Sequence, residues 1–268
     1  MSRNIVRNVV ITGGTSGIGK ACLEYFSLKN DNVIILARKN PDNLPNFYQC
    51  DVTDEENVRK VFESIGAKYT NIDVLINNAG YGVSGAIELI DTKTAKDLFD
   101  VNLFGVINCY KYALPFMKRG SKILNISSVC ALFALPFRGL YCSSKSAVNM
   151  LTLSQRLECE PFGVNVSAVC PGDVKTNFTK NRVKIYDTNE RYGDRIKKAT
   201  DKIDSKEDDR MPAEYLAKSI YKISKKKKPK PYTIVGTKYK ILNFAMRFLP
   251  LSLLLKYTSN LFGGFDKK

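Results

Sequence analysis

Five short runs of aliphatic and β-branched residues punctuate the chain: Val9–Ile11, Val33–Leu36, Val74–Ile76, Ile123–Ile126 and Val164–Val169. Each is short and almost wholly apolar, which predicts a strand buried on both faces. Between them, apolar residues recur at helical spacing near Gly19–Leu28, Glu55–Ile65, Thr92–Met117 and Ser144–Glu158. Strands alternating with helices predict one α/β domain over residues 1–268. It should be a doubly wound parallel sheet with helices on both faces, in three α/β/α layers.

Two regions break the alternation. Residues 179–210 are polar and charged, with Tyr186 and Tyr192 as the main large apolar groups. A long segment after the last of these strands fits a lid over a site, or a solvated helical excursion. The other region is Tyr239–Phe262, within a basic C-terminal stretch at 238–268. Ile241, Leu242, Phe244, Ala245, Phe248 and Leu249 have helical spacing there, flanked by Lys238, Lys240 and Arg247. The uncharged run Phe248–Leu255 contains Pro250 and is too short to span a bilayer. This segment fits a membrane surface, a cover over an apolar pocket, a subunit interface or ordinary core packing.

Composition removes several chemistries. The chain has no histidine, so a histidine base, a histidine triad and histidine metal ligands are excluded. Seven cysteines, none in a C-x-x-C pair, sit mostly in apolar contexts. They predict buried, reduced thiols in a reducing compartment. Met1-Ser2-Arg3-Asn4 leads straight into the first strand without a signal-peptide pattern, which fits a cytoplasmic protein. The net charge is +16, and residues 211–268 hold 13 Lys/Arg against 2 Asp/Glu. That asymmetry fits either solvated lysines or attraction to an anionic membrane. No nucleic-acid-binding motif accompanies it.

Three patterns carry chemistry. Thr12-Gly13-Gly14-Thr15-Ser16-Gly17-Ile18-Gly19 follows the first strand and opens the first helix. Glycines let a turn approach a ligand closely, and a helix N-terminus offers free N–H groups to a pyrophosphate. The second strand ends at Arg38, where an acidic residue would suit a ribose 2′-hydroxyl and an arginine suits a 2′-phosphate. This favours NADP(H) over NAD(H). Finally, Tyr141 and Lys145 are one helical turn apart, with Ser128 upstream. An ammonium beside a phenol favours the phenolate, and a serine hydroxyl can polarise a carbonyl.

Taken in order, these motifs resemble the short-chain dehydrogenase/reductase family, which has a Rossmann-type fold. Asp51-Val52, Asn77-Asn78-Ala79-Gly80, Asn102, Pro171-Gly172, Val174 and Thr176 extend the resemblance over residues 5–178. It implies that Tyr141 is the proton donor in carbonyl reduction, that Lys145 lowers its pKa and holds the nicotinamide ribose, and that Ser128 binds the substrate oxygen. Asn102 would support a water relay to Lys145. Asp51 and Val52 would contact the adenine, Asn78 the adenosine ribose, and Val174 and Thr176 the carboxamide. The Gly13–Gly19 turn would hold the pyrophosphate. Residues 134–145 are similar to the branch acting on steroids, retinoids and acyl-dihydroxyacetone phosphate. Ala131, where many relatives carry glycine, departs from the pattern. The expectation is an NADP(H)-dependent oxidoreductase of a hydrophobic ketone or alcohol, a homodimer or homotetramer, with possible membrane contact. A small polar substrate, or a non-catalytic cofactor sensor, stays open.

Overall fold

The computed structural model describes residues 6–186, 190–205, 210–246 and 248–263. Its elements run β1 (Asn8–Thr12), α1 (Gly17–Ser27), β2 (Asn32–Ala37), β3 (Phe47–Gln49), α2 (Glu55–Tyr69), β4 (Ile72–Asn77) and β5 (Val83–Ser84). Then come α3 (Thr92–Phe99), α4 (Gly105–Ala113), β6 (Met117–Ile126), α5 (Gly139–Cys159), β7 (Asn165–Pro171), β8 (Val174–Lys175) and β9 (Val183–Lys184). The chain ends with α6 (Arg195–Asp204), β10 (Met211–Pro212), α7 (Ala213–Ser224), β11 (Tyr232–Val235), α8 (Thr237–Met246) and α9 (Leu251–Phe262).

Seven strands form one sheet in the order β11-β7-β6-β4-β1-β2-β3, every pair parallel. The five expected strands lie at its centre, because only strands covered on both faces can be apolar throughout. On one face α1 and α7 pack together, with Cys22, Phe26, Leu216 and Ile220 buried. On the other, α2 and α4 bury Val58, Phe62 and Cys109. Asp54 caps α2 by accepting from the Asn57 N–H at 2.9 Å, and Glu55 and Glu56 follow in the first turn. The chain runs outward from β1 to β3, then returns to β4 on the other side of β1. This reversal opens a crevice at the carboxyl ends of β1 and β4, where ligands bind in such sheets.

The expected helix over Thr92–Met117 is not continuous. A π-helical turn at Asp100–Phe104 separates α3 from α4. The helix stops at Leu114-Pro115-Phe116, where Pro115 offers no N–H, and Met117 already begins β6. Edge strands β3 and β11 and helix α7 were not foreseen. The two strands are short and only half buried, so their apolar signal is weak.

Described parts of the 179–210 region are tied down. β9 pairs with β5, with Val183 opposite Val83 and Lys184 opposite Ser84. Asp204 on α6 binds Arg182 at 2.8 Å and Lys184 at 2.6 Å. Residues 187–189 and 206–209 of the expected lid lie outside the described residues, as do 1–5, Arg247 and 264–268. The C-terminal segment forms two helices broken near Pro250, with α9 resting on α6. No helix among the described residues is long and apolar enough to cross a membrane.

Candidate active site

The glycine-rich turn sits at the crevice. Gly13 and Gly17 have left-handed backbone, φ +64 and +52. Ser16 is the N-cap of α1 but makes no side-chain cap, and no acidic residue lies in the first turn. The leading N–H groups of α1 therefore keep their positive character for an anion. A Cβ on Gly19 would lie 2.3 Å from the Gly13 carbonyl oxygen, and one on Gly14 2.4 Å from Ile35. This close-packed turn of small residues fits a pyrophosphate. Asn78 Nδ2 donates to the carbonyls of Thr12 (3.0 Å) and Gly13 (3.1 Å), and Thr12 Oγ1 accepts from the N–H groups of Asn78 and Ala79. Holding the turn is a duty of Asn78 that the motif alone did not reveal.

Other expected cofactor residues surround this turn. Thr176 packs over Gly17, whose Cβ would meet it at 3.4 Å, and Val174 lies in β8 beside Met211. Arg38 is exposed just past β2 and has no ion pair among the described residues. β2 itself abuts the turn, since Gly13 N donates to Leu36 O at 2.7 Å. Asp51 turns its carboxylate to the N–H and hydroxyl of Thr53. Val52 is buried, and its carbonyl accepts from Asn108.

Ser128, Tyr141, Lys145 and Asn102 come together at the carboxyl ends of β4 and β6. Ser128 follows β6 and accepts from the Cys130 N–H at 3.1 Å. α5 begins five residues earlier than its periodicity predicts, which places Tyr141 in its first turn. Tyr141 packs on Phe178, ring centroids 5.8 Å apart, and is 7% exposed. Lys145, 5% exposed, donates from Nζ to the Ile126 carbonyl at 2.9 Å, while Ser127 Oγ donates to the Lys145 carbonyl. Asn102 lies in the π-helical turn. Its Nδ2 donates to Tyr81 O (3.0 Å) and Ser144 Oγ (3.1 Å), and its Oδ1 accepts from Tyr81 N. A Cβ on Gly80 would touch both Asn102 Oδ1 (2.9 Å) and Lys145 Nζ (3.5 Å), so the two side chains are near neighbours.

The electrostatics differ from the expectation in one respect. Burial lowers Lys145 to about 8. Burial, with the charge of Cys130, pushes Tyr141 above the usual phenol range, against the hydrogen bond from Ser128 and the charge of Arg138. Lys145 is not among these leading influences; its ammonium donates to the Ile126 carbonyl. Three neighbours were missed. Cys130 meets Cys142, whose hydrogen bond draws the Cys130 thiol down. Phe178 covers Tyr141. Arg138 lies just before α5, with non-helical backbone, so helical spacing gave no signal for it.

A sequence model described as short chain dehydrogenase matches residues 7–187. The chain is 35% identical over 240 residues to a 3-ketodihydrosphingosine reductase of Bacteroides thetaiotaomicron, covering 87% of this chain and 89% of the relative. A short-chain dehydrogenase from Streptomyces avermitilis superposes with TM-score 0.81 at 25% identity, covering 95% of this chain and 96% of that one. ElxO with NADP bound superposes with TM-score 0.72 at 28% identity, covering 88% and 99%. The chain thus belongs to the short-chain dehydrogenase/reductase family, as an oxidoreductase that interconverts CH–OH and C=O groups.

Proposed function

We propose that the protein is an NADP(H)-preferring reductase of a ketone carried by a hydrophobic, lipid-like substrate. The observation that carries this reading is the aromatic, buried setting of Tyr141 beneath Phe178, together with a C-terminal segment rich in apolar side chains. The resident nicotinamide, when bound, supplies the hydride. Gly13, Gly14, Thr15, Ser16, Gly17, Ile18 and Gly19 cradle its pyrophosphate, Asp51 and Val52 the adenine, Asn78 the adenosine ribose, and Val174 and Thr176 the carboxamide. Tyr141 delivers the proton to the carbonyl oxygen and Ser128 orients that oxygen. Lys145 supports the ribose, and Asn102, beside it, fixes the loop at Tyr81. NADPH and NADH oxidation against steroid, acyl and small polar ketones tests the reading. Turnover confined to small polar carbonyls overturns it, and binding without turnover favours a sensor.

Arg38 is the proposed reader of the 2′-phosphate, supported by its free guanidinium and by NADP in ElxO. Charge-assisted bonds of this kind contribute about 1.5–3 kcal/mol. Arg38→Ala should therefore cut the kcat/KM preference for NADPH over NADH by about tenfold to a hundredfold. An unchanged ratio removes Arg38 from cofactor choice.

The protein is also proposed to rest peripherally on an anionic membrane through α8 and α9. Phe244 (62% exposed), Phe248 (73%) and Leu251 (68%) stand out beside Ile241 and Leu255, with Lys238, Lys240 and Lys256 among them. Apolar side chains fringed by lysines suit a headgroup surface. Sedimentation with vesicles containing phosphatidylserine should carry the protein down, and Phe244→Ser/Phe248→Ser should release it. Equal sedimentation of the variant would rule this face out. A homodimer or homotetramer through α5 is supported by exposed Met150 and Leu157, and light scattering reads the copy number.

A further inference from the structure

Three arginines are buried among the described residues: Arg138, Arg182 and Arg210. Two of them have acceptors for their charge. Arg182 binds Asp204 at 2.8 Å. Arg210 donates to Thr179 Oγ1, Ile203 O and Asp204 O. Arg138 is different. It is 5% exposed, its Nε is sealed from solvent without a partner, as that of Arg182 is, and, unlike the other two, no hydrogen bond or ion pair joins its guanidinium to any described residue. A buried, permanently charged group without a counter-ion is costly, and folds tolerate it where a ligand supplies the charge.

The surroundings point the same way. Arg138 is the N-cap residue of α5, a 21-residue helix whose N-terminus has no side-chain cap and no acidic residue in its first turn. The positive end of that helix therefore adds to the guanidinium. Lys184 and Arg182 stand nearby with Asp204 as their shared carboxylate, so these residues together with Arg138 carry three positive charges against one negative. The charge of Arg138 is felt by Tyr141, Cys130, Cys142 and Arg182, which places it beside the reacting phenol. The backbone that presents it is strained: Phe137 has φ +58, an uncommon conformation for a bulky residue. Phe137 is wedged there against Tyr192, ring centroids 5.9 Å apart.

We propose that Arg138 and the uncapped N-terminus of α5 form an anion subsite beside Tyr141, so that the substrate is a ketone bearing a negatively charged group, a phosphate or a carboxylate, close to its carbonyl. The inference rests on the reading of Tyr141 as the proton donor to a ketone. It narrows the lipid-like substrate to an anionic amphiphile and disfavours one with an ammonium beside the ketone.

A matched series tests it: 2-oxodecyl phosphate, 3-oxodecanoate, 2-decanone and 1-amino-2-decanone, each with NADPH. The wild-type enzyme should favour an anionic ketone over 2-decanone in kcat/KM by about tenfold to a hundredfold and use the amine least. The two anionic arms tell phosphate from carboxylate. Arg138→Met should erase most of that preference, and Arg138→Lys should keep part of it. Equal use of the four ketones by the wild-type enzyme, or an unchanged preference in Arg138→Met, overturns the subsite. Calorimetry on the enzyme–NADP+ complex, which cannot reduce the ketone, separates the two readings. Tighter binding of 2-oxodecyl phosphate than of 2-decanone, lost in Arg138→Met, supports the subsite even where turnover is absent. Loss of turnover with all four would then count against the ketone reductase alone.

Discussion

Tyr141→Phe should lose about a hundredfold to ten-thousandfold in kcat, the usual span for removing a positioned general acid, while NADPH still binds. The ring keeps its packing on Phe178, so the fold has no reason to change. Only the O–H is removed, and with it the proton for the carbonyl oxygen. Stopped-flow NADPH oxidation together with fluorescence titration of NADPH separates the two effects. Retained turnover would transfer the proton to another group. The pH profile of the wild-type enzyme gives a second handle on the same pair. Burial keeps Tyr141 protonated across the working range and brings Lys145 down to about 8. Lys145 therefore carries its charge below pH 8 and sheds it above. If that charge supports the ribose, kcat/KM for NADPH falls above pH 8 by about tenfold per unit. A profile flat through pH 10 would remove the charge of Lys145 from the mechanism.

Gly19→Ala should damage both stability and cofactor affinity. Its Cβ would lie 2.3 Å from the Gly13 carbonyl oxygen and 2.7 Å from Asn78 Nδ2. The first of these is backbone and cannot rotate away. The turn must open, and the bonds from Asn78 to Thr12 and Gly13 must lengthen or break. Overpacking of this kind costs about 1–3 kcal/mol, read as a lower denaturation midpoint. Displacing the N–H groups of α1 should weaken NADPH binding by at least about tenfold. A variant that binds NADPH normally would show that the turn does not hold the pyrophosphate.

The expected strand runs became the centre of the sheet because burial on both faces leaves an unbroken apolar signature. The edge strands Phe47–Gln49 and Tyr232–Val235 left none, being half buried and short. The periodicity of Thr92–Met117 was legible, but the π-helical turn inside it was not. A helix that takes in one extra residue keeps nearly the same apolar spacing on either side. The seven cysteines are all free, and six are buried, as their apolar neighbours suggested.

The sequence by itself determined which side chains share a helix face and which turn meets the sheet. Tyr141 and Lys145 lie one turn apart on their helix, and the glycines between Thr12 and Gly19 allow a tight, left-handed turn that side chains would bar. Tertiary structure alone decided partnership and burial. It set the ammonium of Lys145 against Ile126, committed Asn102 to Tyr81 and Ser144, paired Val183–Lys184 with β5, and left Arg138 buried without an acceptor. The reason is one of range. Spacing along a helix or strand fixes direction within a few residues, whereas charge state and hydrogen bonding depend on groups brought together from opposite ends of the chain.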